Sequence, residues 1–134
     1  MKKYKEKNFV KKVRAKSKTQ YYKLKDSECF ICGNESNLEL HHILPLSEII
    51  VEFLKKHEKE VADAKNDEDL VVAIINECND IFEKDNVVTL CKQCHYWLHN
   101  LFGASYKRKT AEKVKTYLIN QRRKKYGQIH RRAN

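Results

Sequence analysis

The sequence predicts an α+β fold: a small two-stranded sheet tied to a helix by a four-cysteine site, interrupted by an inserted helical hairpin and flanked by basic helices. Three observations predict it. Three Gly and one Pro in 134 residues, with 34% charged residues, describe a helix-rich, loop-poor chain that forms one compact domain with appendages. Two CxxC pairs, Cys29/Cys32 and Cys91/Cys94, stand far apart in sequence but at the spacing of a shared metal. Only "LELHHI" and "NVVTL" carry strand character; the remaining apolar residues recur at helical spacing.

The elements follow in order. Residues 5–25 form a basic segment, read as a helix with Phe9, Val10 and Val13 on one side. "SECFICGNES" is a knuckle-like turn with Gly33 and Asn34 at its bend. "LELHHI" is the first strand, and Pro45 ends it. Ser47 is placed to cap a helix over "EIIVEFLKKHEKEVADA", with Ile50, Phe53, Leu54 and Val61 on one face. A second helix, "NDEDLVVAIINECNDIFEK", carries a stripe of Val71, Ile74, Ile75, Cys78 and Phe82, which makes Cys78 a core residue. The two make a hairpin at about 47–83, inserted before the second strand, "NVVTL". "CKQCHYWLHNLF" opens the next helix, and Gly103 ends it. The last helix, from about Thr110 to Lys125, buries Val114 and Leu118 and exposes "QRRKK". The organisation is a basic arm (1–25), a central domain with its insertion (26–103) and a basic helix and tail (104–134).

Charge follows the same division. Residues 1–25 and 104–134 each hold eleven Lys/Arg against one Glu, which leaves six basic and sixteen acidic residues between them. The net +10 is therefore +10 at each end and −10 in the middle. Aromatics interleave the basic ends: Tyr4, Phe9, Tyr21, Tyr22, Tyr106, Tyr117 and Tyr126. That pattern suits a polyanion, although charge runs also serve as plain solvated helix faces. The acidic insertion is read as a candidate surface for a protein partner or for regulation. No apolar run resembles a signal peptide or a membrane span, so the expected setting is intracellular, and there paired cysteines read as metal ligands rather than disulfides.

Two residues between thiolates let both sulfurs of a CxxC reach one tetrahedral ion, and two such pairs complete a closed, structural zinc site of Cys29, Cys32, Cys91 and Cys94. Two unrelated pairs of buried thiols are the plain alternative. His95 and His99, four apart on a helix, share a face, whereas Cys94 points about 100° away from His95. His41 and His42 are adjacent on a strand and point to opposite sides. One can therefore be a metal ligand while the other acts as a base. The alternatives are that one of them packs, or that His99 joins the zinc site. His57 and His130 lie in charged surroundings and are assigned to the surface.

A strand ending in "HHI" near a Pro, an Asn opening "NVVTLC", and then "CxxCHxxxH" together resemble the HNH endonuclease family over roughly residues 26–102. The resemblance implies a ββα-metal unit in its zinc-stabilised form and a metal-dependent DNA endonuclease of the free-standing phage or homing kind, in a bacterial cytoplasm or a phage-infected host. By position, His42 is implied as general base and Asn86 as the residue ordering the loop. His41 and His95 are implied as metal ligands, with His99 as a further one. The catalytic ion implied is divalent, such as Mg²⁺, Mn²⁺ or Ni²⁺, beside structural Zn²⁺. The family's connection between base and Asn is shorter, and the basic arms match no DNA-binding module. A non-catalytic zinc module binding DNA or protein is the competing reading.

Overall fold

The computed structural model describes the backbone of residues 3–133 and the side chains of residues 8–125, so Tyr4, Tyr126 and His130 lie outside the described side chains. Among the described residues, seven helices and two strands run in the order α1 (Lys3–Lys16), α2 (Lys18–Leu24), β1 (Leu38–His42), α3 (Leu46–Lys56), α4 (Glu58–Asp63), α5 (Asp67–Glu77), β2 (Val87–Cys91), α6 (Lys92–Phe102) and α7 (Arg108–Ala133). Two 3₁₀ turns, Asn79–Ile81 and Lys84–Asn86, lead into β2. The strands pair antiparallel, with Leu38 opposite Cys91, His41 opposite Val88 and His42 opposite Val87. No helix among the described residues is long and apolar enough to cross a membrane.

The β-branched run Val87-Val88-Thr89 suits a strand buried along its whole length, and all five residues of β2 are buried. β1 alternates until His41 and His42, which are both buried. Around this sheet the core gathers Phe9 and Val13 of α1, Ile50 of α3, Ile74 of α5, Leu90, Leu98 of α6, and Val114 and Leu118 of α7. Both basic flanks thus bury apolar side chains in the same core as the sheet.

The insertion departs from the expected hairpin. The long helix over 48–64 breaks at His57, whose φ of −115° and ψ of 37° leave helical geometry, so α3 and α4 are separate pieces. His57 is not the surface residue expected: its ring packs on Phe53 at 4.5 Å and its Nε2 lies 3.0 Å from the Glu77 carboxylate. Pro45, not Ser47, occupies the N-cap of α3, and no side chain caps that end. The Pro45 carbonyl starts the helix by accepting from the Glu48 and Ile49 N–H groups at 3.0 and 3.1 Å. Asn66 caps α5 by accepting from the Asp69 N–H at 3.0 Å, and Asp67, Glu68 and Asp69 sit against the positive end of the helix dipole. α5 stops at Glu77, so the predicted stripe does not continue to Phe82. Cys78 becomes a half-buried C-cap, and the following turn drives Ile81 into the core instead. Gly103 ends α6 as anticipated, at a φ of 83° that favours glycine.

Candidate functional site

Among the described residues, two groups of side chains that could hold a metal form, and both draw on α6. The first is Cys29, Cys32, Cys91 and Cys94, whose sulfurs all lie within 4.8 Å of one another. The local sequence builds it from two pieces. The knuckle turns on Gly33 at φ 75°, with the Gly33 N–H donating to the Cys29 carbonyl at 2.9 Å and the Cys29 N–H to the Asn34 carbonyl at 2.8 Å. The Phe30 N–H donates to the Thr89 carbonyl at 2.8 Å, which lays the knuckle along β2. Cys91 ends β2, and its sulfur accepts from the Cys94 N–H in the first turn of α6.

The donor set fits a tetrahedral zinc ion. Arms of about 2.3 Å imply sulfur–sulfur edges of about 3.8 Å, and the Cys32 and Cys91 sulfurs stand 3.7 Å apart. Burial, and then the neighbouring sulfurs, push the Cys94 thiol well up. Burial likewise raises Cys32. Burial works against ionising Cys29 too, but backbone N–H groups of Cys32, Cys91 and Ile31 bring it below the ordinary thiol range. Four sulfurs crowded within 4.8 Å of one another are what a divalent cation stabilises as thiolates.

The second group is His41, His95 and His99, with ring nitrogens again within 4.8 Å of one another. His41 sits on β1; its Nδ1 is 3.1 Å from His95 Nε2, and its Nε2 is 2.9 Å from the Tyr106 hydroxyl. His95 Nδ1 lies 3.1 Å from Glu39 Oε1. A carboxylate can only accept, so His95 carries its proton on Nδ1 and turns a lone pair on Nε2 toward His41. The Tyr106 hydroxyl donates to the Ile43 carbonyl and accepts from His41 Nε2–H, leaving His41 Nδ1 as a second lone pair. Two facing lone pairs 3.1 Å apart call for a cation between them. The separation matches neighbouring ligands on a metal with arms of about 2.0–2.1 Å. Burial, with His95 and His99 nearby, lowers the His41 pKa to about 3, so it is neutral and able to ligate. His99 is likewise lowered, by partial burial and then by His95.

His42 points to the other side of β1, as strand geometry requires. Its Nε2 donates to the Ile81 carbonyl at 2.9 Å, which fixes the tautomer and leaves Nδ1 free to take a proton. The Tyr21 ring of α2 meets it edge-on at 5.3 Å. Burial lowers its pKa, partly offset by the bond to Ile81, and the Arg14 charge lowers it further.

Asn86 ties the segments around these histidines. Its carbonyl accepts from the Ile43 N–H at 2.7 Å, its Oδ1 accepts from the Leu44 N–H at 2.8 Å, and its Nδ2 donates to the Asp80 carbonyl at 2.9 Å. The residue thereby locks the chain after His42 to the turn that carries Ile81.

The sequence model of the nicking endonuclease family, a phage family, matches residues 1–130. The chain belongs to the nicking endonuclease family. No solved structure matches it. In this member of the nicking endonuclease family the match runs through both basic flanks as well as the histidine and cysteine groups, in keeping with their shared core.

All seven predicted ligands and both other site residues, His42 and Asn86, take part in these arrangements. Three supporting residues had not been singled out for this role. Glu39 carried a signal: it stands two before His41, on the same face of β1. Tyr21 and Tyr106 had been read as aromatics for a polyanion; Tyr106 is instead buried against His41, and Tyr21 is half-buried against His42. Phe9 is likewise a core residue. Arg122 corrects the exposed "QRRKK" run: its guanidinium donates to the Phe30 carbonyl at 2.9 Å and lies 4.7 Å from the Phe30 ring centroid, while Arg123, Lys124 and Lys125 are exposed.

Proposed function

We propose that this chain is a metal-dependent DNA endonuclease of the HNH type that cuts one strand of a duplex. Membership of the nicking endonuclease family supports the reaction and the DNA substrate. The single observation that carries the HNH reading is the division of the adjacent histidines: His41 faces His95 and His99, while His42 faces away and is held by Ile81.

The working unit is the segment 26–103, a ββα-metal arrangement of β1, β2 and α6. His41, His95 and His99 would hold a divalent ion, and the chemistry it would supply there is positive charge toward a bound phosphate. His42 Nδ1 removes the proton from the attacking water. The water oxygen forms the new bond to phosphorus, the bond from phosphorus to the 3′ oxygen breaks, and that oxygen takes a proton from solvent. Glu39 and Tyr106 hold the ligand rings in the required tautomers. Asn86 holds the Ile81 carbonyl against His42. Four cysteines leave a zinc ion no open position, so zinc held there would fix the start of α6 and take no part in chemistry.

Incubation with supercoiled plasmid tests the reading. Wild-type protein should convert it to open circles with Mg²⁺, Mn²⁺ or Ni²⁺. An all-nitrogen shell favours the latter two over tightly held Mg²⁺. His42→Ala should keep its zinc and bind DNA but nick roughly 10²–10⁴-fold more slowly. A wild-type protein that holds zinc and binds DNA yet leaves plasmid intact with all three ions would return the chain to the non-catalytic class.

A further inference from the structure

A cavity of about 380 Å³ opens beside the cysteine group, between the knuckle and the start of α6. Asn34 and Asn37 line it from the knuckle side, Lys92, Gln93 and Tyr96 from α6, and Cys91 from the end of β2. Its two walls are tied together, because the Lys92 N–H donates to the Asn37 carbonyl at 2.9 Å. Asn37 stands at a φ of 54°, a left-handed backbone that asparagine tolerates better than most residues. Asn34 Oδ1 accepts from the Ser36 N–H at 3.0 Å, which leaves its Nδ2 donors. The side chains of Asn37, Lys92, Gln93 and Tyr96 have no hydrogen-bond or ion-pair partner among the described residues. α6 carries the cavity round to the histidines. Counting about 100° per residue from His95, His99 lies at about 40°, Lys92 at about 60°, Tyr96 at about 100° and Gln93 at about 160°. The buried Cys94 and Leu98 lie at about 260° and about 300°. One outer face of the helix therefore runs from His95 and His99 into the cavity, with Lys92, Tyr96 and Gln93 exposed along it.

We propose that this cavity reads one base of the DNA beside the nick, through the Asn37 and Gln93 amides on the edge of an adenine. The assignment rests on the nuclease reading above. A carboxamide carries a donor and an acceptor side by side. Adenine presents the complementary pair in the major groove, its N7 acceptor next to its N6 donor. No carboxylate stands among the residues that line the cavity, so phosphates approaching it meet the Lys92 ammonium and no like charge. The amides come from two elements locked to each other and to the cysteine group, so they are held in place before DNA arrives. Asn37 stands four residues before His41, at most about 14 Å along the strand. Duplex DNA rises about 3.4 Å per base pair, so the base read lies within about four base pairs of the cut. Exposed cations of the flanks contact phosphates and bind any sequence, whereas these amides select one.

The test maps nick positions by sequencing strand ends in a long duplex of mixed sequence, for wild type, Gln93→Ala and Asn37→Gly. Zinc content and melting temperature are measured on each protein. Glycine suits the left-handed backbone at 37, so Asn37→Gly removes the amide without straining the turn. Wild-type nicks should share an adenine at one position within about four base pairs of the cut. Gln93→Ala and Asn37→Gly should weaken that preference by roughly 5- to 150-fold, the worth of one bidentate pair. Both should keep their zinc, their melting temperature and the wild-type rate at sites with other bases there. Wild-type nicks with no preferred base in that span overturn the assignment. So does a preference unchanged in both variants, or a rate that falls equally at all sites while the preference stays. Wild-type protein that binds DNA but does not nick overturns the nuclease reading instead. The base reading is then scored on duplexes retained from a randomised pool, where equal enrichment of adenine by wild type and both variants overturns it too.

Discussion

Single side chains decide the two metal groups, and substitution separates their roles. Structural zinc contributes on the order of 10 kcal/mol to folding in small domains. Cys29→Ser should therefore lose bound zinc and give insoluble or partly melted protein, read by metal analysis and a thermal melt; a variant that stays folded without zinc would remove the structural role. Glu39→Gln tests the histidine group more gently. The amide can still accept from His95 Nδ1, but it lacks the charge that raises ligand basicity. Binding of Mn²⁺ by the folded protein should weaken by about 10–100-fold, while the zinc content stays at the wild-type level. Calorimetric titration with Mn²⁺ checks this, and equal affinity in the two proteins would mean that Glu39 does not support a ligand. At this scale the sequence was highly legible. CxxC spacing, the i/i+4 pair His95/His99 and strand alternation at His41/His42 are local rules, so each member of the two groups could be read from its neighbours. Tyr106 was illegible because its contact with His41 spans 65 residues and no periodicity links them.

Elements were legible where one periodicity ran without competition. β2, α6 and the Gly103 stop follow from the residues that compose them. The insertion was misread because a stripe shows which face is apolar, not where the helix breaks. Its sequence runs helically through His57, yet the His57 ring turns onto Phe53 and toward Glu77. Contacts made after folding thus override the local pattern. The flanking helices are also more integrated than their charge suggests. Phe9 of α1 is 0% exposed, so Phe9→Ala should cost roughly 3–5 kcal/mol in a denaturant melt. A cost below about 1 kcal/mol would mark α1 as a loosely attached arm. At the other flank Arg108 holds Glu52 through two bonds, at 2.8 and 2.7 Å, and keeps its carboxyl below the usual range. A depressed carboxyl adds stability above its unfolded value, near about 4.3, and loses it as the pH falls through the folded value. Both partners are substantially exposed, so the gap between wild type and Glu52→Gln at neutral pH should be at most about 1 kcal/mol. It should close on acidification and shrink in high salt. A gap that grew toward acid pH would assign the pair's contribution to packing.

Across the whole molecule, charge does two jobs that the sequence alone merges. The −10 middle and the two +10 ends were legible as a pattern. The pattern could not say which cations face inward. The fold sorts them: Lys12, Lys16, Lys107 and Arg108 pair with Asp67, Glu68, Glu48 and Glu52 of the insertion, and Arg122 pins the cysteine knuckle. Four carboxylates of the acidic insertion thus serve as internal counter-charges that hold the basic flanks. The cations left for a polyanion are those that remain exposed, among them Arg123, Lys124 and Lys125 at the end of the described part of α7. Phosphate contacts release counterions, with a salt slope of about 0.9 per phosphate neutralised. Replacing Arg123, Lys124 and Lys125 together with Gln should lower duplex affinity at low salt and flatten the slope by up to about 2.7, with no change in melting temperature. Arg122→Gln should do the reverse: it releases the Phe30 carbonyl and ring, so it should lower the melting temperature and leave the salt slope close to wild type. A triple replacement that leaves the slope intact would mean that α7 does not lie along the phosphates. An Arg122→Gln protein with wild-type stability and a flattened slope would place that side chain on DNA rather than on the knuckle.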